Sequence, residues 1–450
     1  MRNVGIKKTA AIGAVLVAAS MALTGCGNNT GGDTDSSSST GSSTGAEIVL
    51  TINTFNNFGF EKSTDTAPGA DLYQKYMDEH PNITIESTVS ATSNDARSAF
   101  NTALGTGSGA FDIQAVEIDW MPSLLANADK LVDLSDTIPA DRYQAWKSAS
   151  ATTADGKLIG AGTDIGPEGI CYRSDLFAKA GLPTDRDEVA ALLKGDWAHY
   201  FEVGKQFADA NTGAYWFDSF AGIWQGMVNQ MTEAYVSSDD ESIIATDNAD
   251  VKAAFDLLTA QGAQSAGLGQ WSDDWSAAMK SDTGFATMLC PAWIVNNVKG
   301  GAGEDFVGWD IADVFPSGYD DSKGGGNWGG SYLVVPEQSE NKEEAMKLVE
   351  WLTAPEQQVA TFTAASNYPS AVDAQSDTAV TGKTDAFLND APVGQIFGSR
   401  AEAVTVVPYK GGAYFDINDA LVKNLNTIDV DKTAAAADAW TTWVSAVGAL

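Results

Sequence analysis

Apolar positions along the chain fall into two rhythms. "EIVLTINTF", Glu47 to Phe55, is a continuous β-rich run, and "NITIESTV" alternates at Ile83 and Ile85. A period of two belongs to strands, whose successive side chains leave opposite faces. Between these runs, Pro68 to His80 reads as a helix with proline near its start. From Ser93, residues Ala96, Ala99, Phe100, Ala103 and Leu104 recur at the spacing of one helix face. "FDIQAVEI" returns to strand, and "SYLVVP" is another. In "NKEEAMKLVEWL", Asn341 with Glu344 three residues on has the form of a capping box. Ala345, Leu348, Val349 and Leu352 form the buried stripe of that helix, and Pro355 starts the next one. The stretch closes with Trp440, Trp443, Val444 and Val447 on one helical face. Strands alternating with helices of this length predict α/β architecture with largely parallel sheets, and no repeat of 20 to 50 residues interrupts it.

The first 46 residues follow neither rhythm. Arg2, Lys7 and Lys8 precede the short apolar run "AAIGAVLVAASMAL", as in a secretory signal peptide over residues 1–25. At about 14 residues the run falls short of the roughly 20 that a membrane helix needs. Leu23-Thr24-Gly25-Cys26 resembles the lipobox of bacterial lipoproteins, which implies that Cys26 is acylated and becomes the mature N-terminus. Residues 26–46 then form a tether, because "GNNTGGDTDSSSSTGSSTGA" offers little apolar surface to offset the entropy of ordering it. "GSSTG", Gly41 to Gly45, matches G-x-S-x-G in form, but it has neither the preceding strand nor the following helix that a nucleophile elbow requires.

Charge and composition narrow the function. Without Arg2, Lys7 and Lys8 the chain carries 23 Lys+Arg against 60 Asp+Glu. Such a surface repels nucleic acid and polyphosphate while leaving neutral or cationic ligands open. About 400 residues at 44% hydrophobic content allow two cores. Cys171 and Cys290 lie in apolar contexts; buried free thiols are the expectation, with a disulfide between them the lesser alternative. Only His80 and His199 occur, both expected at the surface, which leaves little for a histidine metal site or a Ser-His-Asp triad. There is no P-loop. "GGGNWG", Gly324 to Gly329, matches G-x-G-x-x-G but runs into a strand instead of following one. No cofactor or metal is expected. A carboxylate pair suited to glycoside hydrolysis could hide among so many acids.

Aromatic supply is the positive signal: 13 Trp, 12 Tyr and 18 Phe, many off the helical stripes. Trp120, Trp216, Trp224, Trp271, Trp293 and Trp328 stand in loop-like contexts beside carboxylates or amides. A flat ring can cover the C–H face of a pyranose, while Asp, Glu and Asn accept from its hydroxyl edge.

Several stretches resemble, in this order, the extracellular solute-binding proteins of bacterial ABC sugar importers, the group that includes maltose-binding protein. They are "SAFNTALGTGSGAFDIQAV", "LLANADKLVDLSD", "DGKLIGAGTDIGPEGICYRSDLFAKAGLP", followed by Trp197, then "GFATMLCPAWIVNNV" and "GGSYLVVPEQSENKEEAMKLVEWLTAPEQQ". The usual proline after "GKLI" is replaced near Gly162, and Tyr172-Arg173 stands where the family has tyrosine-asparagine. The resemblance implies two α/β lobes joined by about three crossings, with a ligand cleft between them. One lobe would comprise residues 47–164 with 331–372, the other 165–330 with 373–450. Expected ligand contacts are Asn56, Asn57, Glu117, Asp119 and Trp120 from the first lobe, and Asp164, Glu168 and Trp328 from the crossings. Trp216, Trp224, Gln225, Trp293 and Tyr414 would face them. The implied protein is a monomeric lipoprotein on the outer face of the cytoplasmic membrane. It would deliver a neutral oligosaccharide to an ABC permease, with no enzymatic activity. A tethered glycosidase and a binder of cations such as polyamines are the alternatives.

Overall fold

The computed structural model describes residues 46–64, 67–320 and 322–450. Cys26 and the expected signal peptide and tether before Ala46 lie outside them. Among the described residues nine strands occur in chain order: β1 (Ile48–Phe55), β2 (Ile83–Ser90), β3 (Ile113–Glu117), β4 (Ala161–Gly162), β5 (Glu168–Arg173), β6 (Tyr215–Phe217), β7 (Phe285–Pro291), β8 (Trp309–Ala312) and β9 (Ser331–Val334). In β1 the period of two sorts the side chains: Leu50 and Ile52 are fully buried, while Val49, next to Leu50 on the opposite face, is 46% exposed. The first sheet runs β2-β1-β3-β9-β4 and the second β6-β7-β5-β8.

The sheets are mixed rather than largely parallel. β1 pairs parallel with β2 and β3, and β6 with β7. β9 pairs antiparallel with β3 and β4, and β5 antiparallel with β7 and β8. The antiparallel strands in both sheets flank the points where the chain passes from one lobe to the other, so the return runs oppose the outgoing ones.

Helix Ser93–Thr106 forms as its periodicity predicts, capped by Thr92 Oγ1, which accepts from the Asp95 N–H, and closed by Gly107 at φ 72°. Two expectations fail at helix starts. The helix predicted from Pro68 begins at Leu72, behind Asp71 in the left-handed region, because the Pro68–Ala70 backbone is tied back into a loop: the Ala70 N–H donates to Gly59 O and Asp71 to Glu61 O. Asn341 precedes helix Lys342–Leu352 without a side-chain cap; its Nδ2 donates instead to Val49 O.

Both faces of the second sheet are covered. Ile170 and Tyr172 of β5 enter one buried cluster with Trp197, Trp216, Trp224 and Phe315. Cys171 enters another, with Met288, Cys290, Ile311 and Trp328. The last helix, Ala436–Val447, completes the first of these clusters: Trp443 is buried near Tyr235, and its Nε1–H donates to Ile417 O at 3.0 Å. Cys171 and Cys290 form a disulfide, Cα–Cα 5.4 Å, which corrects the expectation of free thiols. Antiparallel pairing of β5 with β7 sets Cys290 opposite Gly169 and Cys171 opposite Met288, so the two cysteines are diagonal neighbours on one face.

Three crossings lie side by side between the lobes. Along Asp164–Glu168 and Gly326–Ser331, the Thr163 N–H donates to Ser331 O, Trp328 to Gly166 O and Glu168 to Gly326 O. The third, near Tyr368 and Pro369, takes the Ile165 N–H on Tyr368 O and bridges Asp164. Among the described residues no helix is long and apolar enough to cross a membrane.

Candidate functional site

Three carboxyl groups from different elements converge between the lobes. β3 ends at Glu117, and the tight turn Ile118–Trp120 carries Asp119. β5 begins at Glu168. The cation among them is Lys410, from the loop ahead of helix Tyr414–Asp429. Its Nζ donates to Asn229 Oδ1 at 2.7 Å and to Tyr414 Oη at 3.0 Å, and it stands 3.3 Å from Asp119 Oδ1 across the interlobe gap. The Gln225 side chain lies near enough to the Tyr414 hydroxyl to oppose the upward pKa shift that burial gives it.

The environment of these acids is unlike that of the solvated surface. Burial, with Asp119 next to it, pushes Glu117 up to about 7, although Ser93, Lys410 and Arg97 oppose the shift. Ser93 Oγ donates to Glu117 Oε2 at 3.0 Å. Glu168 is fully buried, and neither carboxyl oxygen has a hydrogen-bond partner among the described residues. Burial raises its pKa well above the usual carboxylate range, with Lys410 the opposing charge. The chain makes room for this carboxyl with a glycine: a Cβ on Gly326 would stand 2.7 Å from Glu168 Oε2 and from the Phe315 ring.

An aromatic group adjoins the acids. β7 ends at Pro291, and the turn Ala292–Ile294 presents Trp293. Its Nε1–H donates to Trp328 O at 2.9 Å. The Trp293 ring stacks on Trp271, centroids 6.0 Å apart and planes 26° apart, and meets Trp328 edge-on at 5.2 Å. Trp271, held at φ 72°, is 53% exposed. The two groups meet at Gly329: a Cβ there would lie 3.2 Å from Trp293 Nε1 and 3.9 Å from Glu117 Oε1.

The fold therefore brings together Glu117, Asp119, Glu168, Gln225, Trp293, Trp328 and Tyr414 of the expected residues. Others it assigns elsewhere. Trp216 is fully buried in the second lobe, stacked on Phe177 and packed by Tyr200 and Phe207. It is core, because β6 turns it into the sheet's covered face. Trp224 is also fully buried; its Nε1–H donates to Tyr235 Oη, which in turn donates to Asn418. Trp120 turns into the first lobe's core against Phe55, with its indole N–H buried and without a hydrogen-bond partner among the described residues. Asn57 shapes a loop, accepting from the Gly59 N–H and donating to Pro68 O. Asn56 is an exposed turn residue at φ 54°. Asp164 pins the crossings, its Oδ1 accepting from Thr163 Oγ1 and the Ser331 N–H.

Sequence reasoning left Lys410, Asn229, Ser93, Arg97 and Trp271 out of the site. The available signal for Lys410 was a lone cation in "VPYKGGAYF", four residues ahead of Tyr414, in a strongly acidic chain. A second interlobe contact lies beside it: Arg97 pairs with Asp419 at 3.4 Å and lies 3.4 Å over the Phe415 ring. Phe415 packs against the buried clusters of both lobes. A hollow of about 490 Å³ along helix Tyr414–Asp429, lined by Gly269, Lys423 and Asn426, shares only Asp419 with these contacts. None of the acidic and aromatic groups above lines it.

A family model for bacterial extracellular solute-binding proteins matches residues 71–388. The chain belongs to that family. This solute-binding protein is 43% identical to a solved extracellular solute-binding protein of family 1, the match covering 89% of this chain and 99% of that one with a TM-score of 0.78. It shares its two-lobe fold, at 17% identity, with the ABC transporter-associated binding protein of B. animalis subsp. lactis Bl-04 in complex with β-1,6-galactobiose, over 90% and 97% of the two chains with a TM-score of 0.73. Curated relatives include a lactose-binding protein of Rhizobium radiobacter, 26% identical over 281 residues (61% of this chain), and an arabinooligosaccharide-binding protein of Halalkalibacterium halodurans, 22% identical over 251 residues (54% of this chain). These matches span 64% and 54% of the relatives' own lengths.

Proposed function

We propose that this solute-binding protein captures a neutral oligosaccharide between its lobes and delivers it to an ABC permease, binding and releasing the sugar without turnover. The observation that carries the reading is Glu168, a buried carboxyl that lacks hydrogen-bond donors among the described residues, in an acidic group that meets the Trp271–Trp293 stack at Gly329 through Glu117. Hydroxyl groups supply the missing donors, and the C–H face of the same ring suits the indoles. Ligand contacts would come from Glu117, Asp119, Glu168, Gln225, Trp293, Trp328 and Tyr414, with Trp271 added. The relatives that bind lactose and arabinooligosaccharide support the ligand class.

The magnitudes require both groups. A ring that covers about 40 Å² of C–H face contributes about 1 kcal/mol, whereas micromolar affinity needs about 8 kcal/mol. Hydrogen bonds between sugar hydroxyls and these carboxyl groups, about 0.5–1.5 kcal/mol each where neutral and about 1.5–3 kcal/mol where charged, supply the larger share once water is expelled by closure. Closure would move residues 47–164 with 331–372 against residues 165–330 with 373–450, and the closed form is what a permease would recognise. Acylation of Cys26 would hold the protein at the outer face of the membrane, as a monomer.

Calorimetry against lactose, maltotriose, β-1,6-galactobiose and arabinotriose tests the reading: at least one should bind at micromolar affinity, with no new reducing ends. Binding of none rejects the assignment to sugars, and the appearance of reducing ends rejects simple capture.

A further inference from the structure

Resting on that reading, we infer that Lys410 sets the charge of the accepted ligand: its ammonium is the resident cation of the acidic site, so a neutral guest is admitted and a cationic one turned away. An ammonium has three N–H groups. Here two of them donate, to Asn229 Oδ1 at 2.7 Å and to Tyr414 Oη at 3.0 Å, and the ammonium pairs with Asp119 Oδ1 at 3.3 Å. Its contribution is its charge, which pairs Asp119 and opposes the upward pKa shifts that burial gives Glu117 and Glu168.

The second cation nearby does not replace it. Arg97 is engaged with Asp419 and Phe415 at the rim. With Lys410 in place, Asp119 is paired, and Glu117 and Glu168 keep acceptor capacity for hydroxyls. A guest ammonium would enter beside a fixed positive charge at short range, where repulsion is only partly screened. Remove the resident charge and the same pocket of acids becomes a site for an amine.

Lys410→Met keeps most of the apolar stem and deletes the charge; Lys410→Arg keeps the charge. Binding of spermidine and of the glucosamine dimer is measured by calorimetry beside the four neutral sugars. Wild type and Lys410→Arg should bind both cations at least about tenfold more weakly than their best sugar. Lys410→Met should gain about tenfold or more for spermidine, with an affinity that falls as salt rises, and should lose affinity for the sugar. Spermidine binding by Lys410→Met within twofold of wild type overturns the inference. So does a wild type that binds spermidine as tightly as its best sugar, a result that stands even where the variant fails to fold. Loss of all sugar binding by wild type rejects the sugar reading alone, since the spermidine gain is read independently.

Discussion

The two faces of the second sheet use tryptophan in opposite ways. On one, Trp216 is enclosed by Phe177, Tyr200 and Phe207, and Gly204 makes room for it: a Cβ there would lie 2.4 Å from the indole. On the other, past the disulfide, Trp328 and Trp293 end the core at the crossings, and Trp271 continues the stack into solvent. On this sheet the tryptophan inside a strand, Trp216, is filler, and the one just past a strand's end, Trp293, is half-buried; Trp120, just past the end of β3 in the other sheet, is core all the same.

The largest test of that contrast is Trp216→Ala. It should cost about 3–5 kcal/mol of unfolding free energy through the cavity it leaves, measured by denaturant titration, while the folded fraction retains its affinity. A loss of affinity at full stability would make Trp216 a ligand contact after all. Next comes the staple on the opposite face: reducing Cys171–Cys290, or replacing both with alanine, should cost about 2–4 kcal/mol. An unchanged melting temperature would mean that strand pairing alone holds β5 to β7.

Glu117→Gln probes the acids where the two lobes meet. A carboxyl lifted from 4.5 to about 7 by burial stays protonated in the folded chain while the unfolded chain ionises, so stability is lost as pH rises through that window. The substitution should be neutral near pH 4 and stabilise by about 1–3 kcal/mol near pH 8, followed as melting temperature against pH. A difference independent of pH would place the Glu117 carboxyl in water. The smallest effect is expected from Trp293→Ala, about 1–2 kcal/mol of sugar affinity with less change in stability, because the ring is only half-buried. Retained affinity would remove it from the site.

Much of the architecture was legible because periodicity reports burial directly. β1, β2, β3, β9 and helix Ser93–Thr106 follow from runs of period 2 or 3.6. Sheet direction was not legible, since parallel and antiparallel strands share a pattern when both faces are covered; every residue of β5 and β7 is buried. The disulfide depended on a register that places Cys290 opposite Gly169, a tertiary fact. In the candidate site, Glu117 and Asp119 were expected after the strand "FDIQAV" and Glu168 at a crossing, all on the strength of the family resemblance. Asn57, expected with them, spends its amide on a local loop instead. Lys410 escaped because its meaning depends on acids nearly 300 residues away in the chain, and a single lysine carries no period.

The last helix has a consequence for biosynthesis. A chain made from its N-terminus has every buried residue of the first sheet's cluster by Ala374, but the partner cluster waits for Trp443 and Val447. At about 5–20 residues per second, the intervening stretch takes several seconds, during which Tyr235 and Ile417 lack the indole that covers them. A nascent polypeptide stalled just short of residue 436 would expose a greasy seam beside a finished neighbour, a natural target for holdase chaperones and proteases.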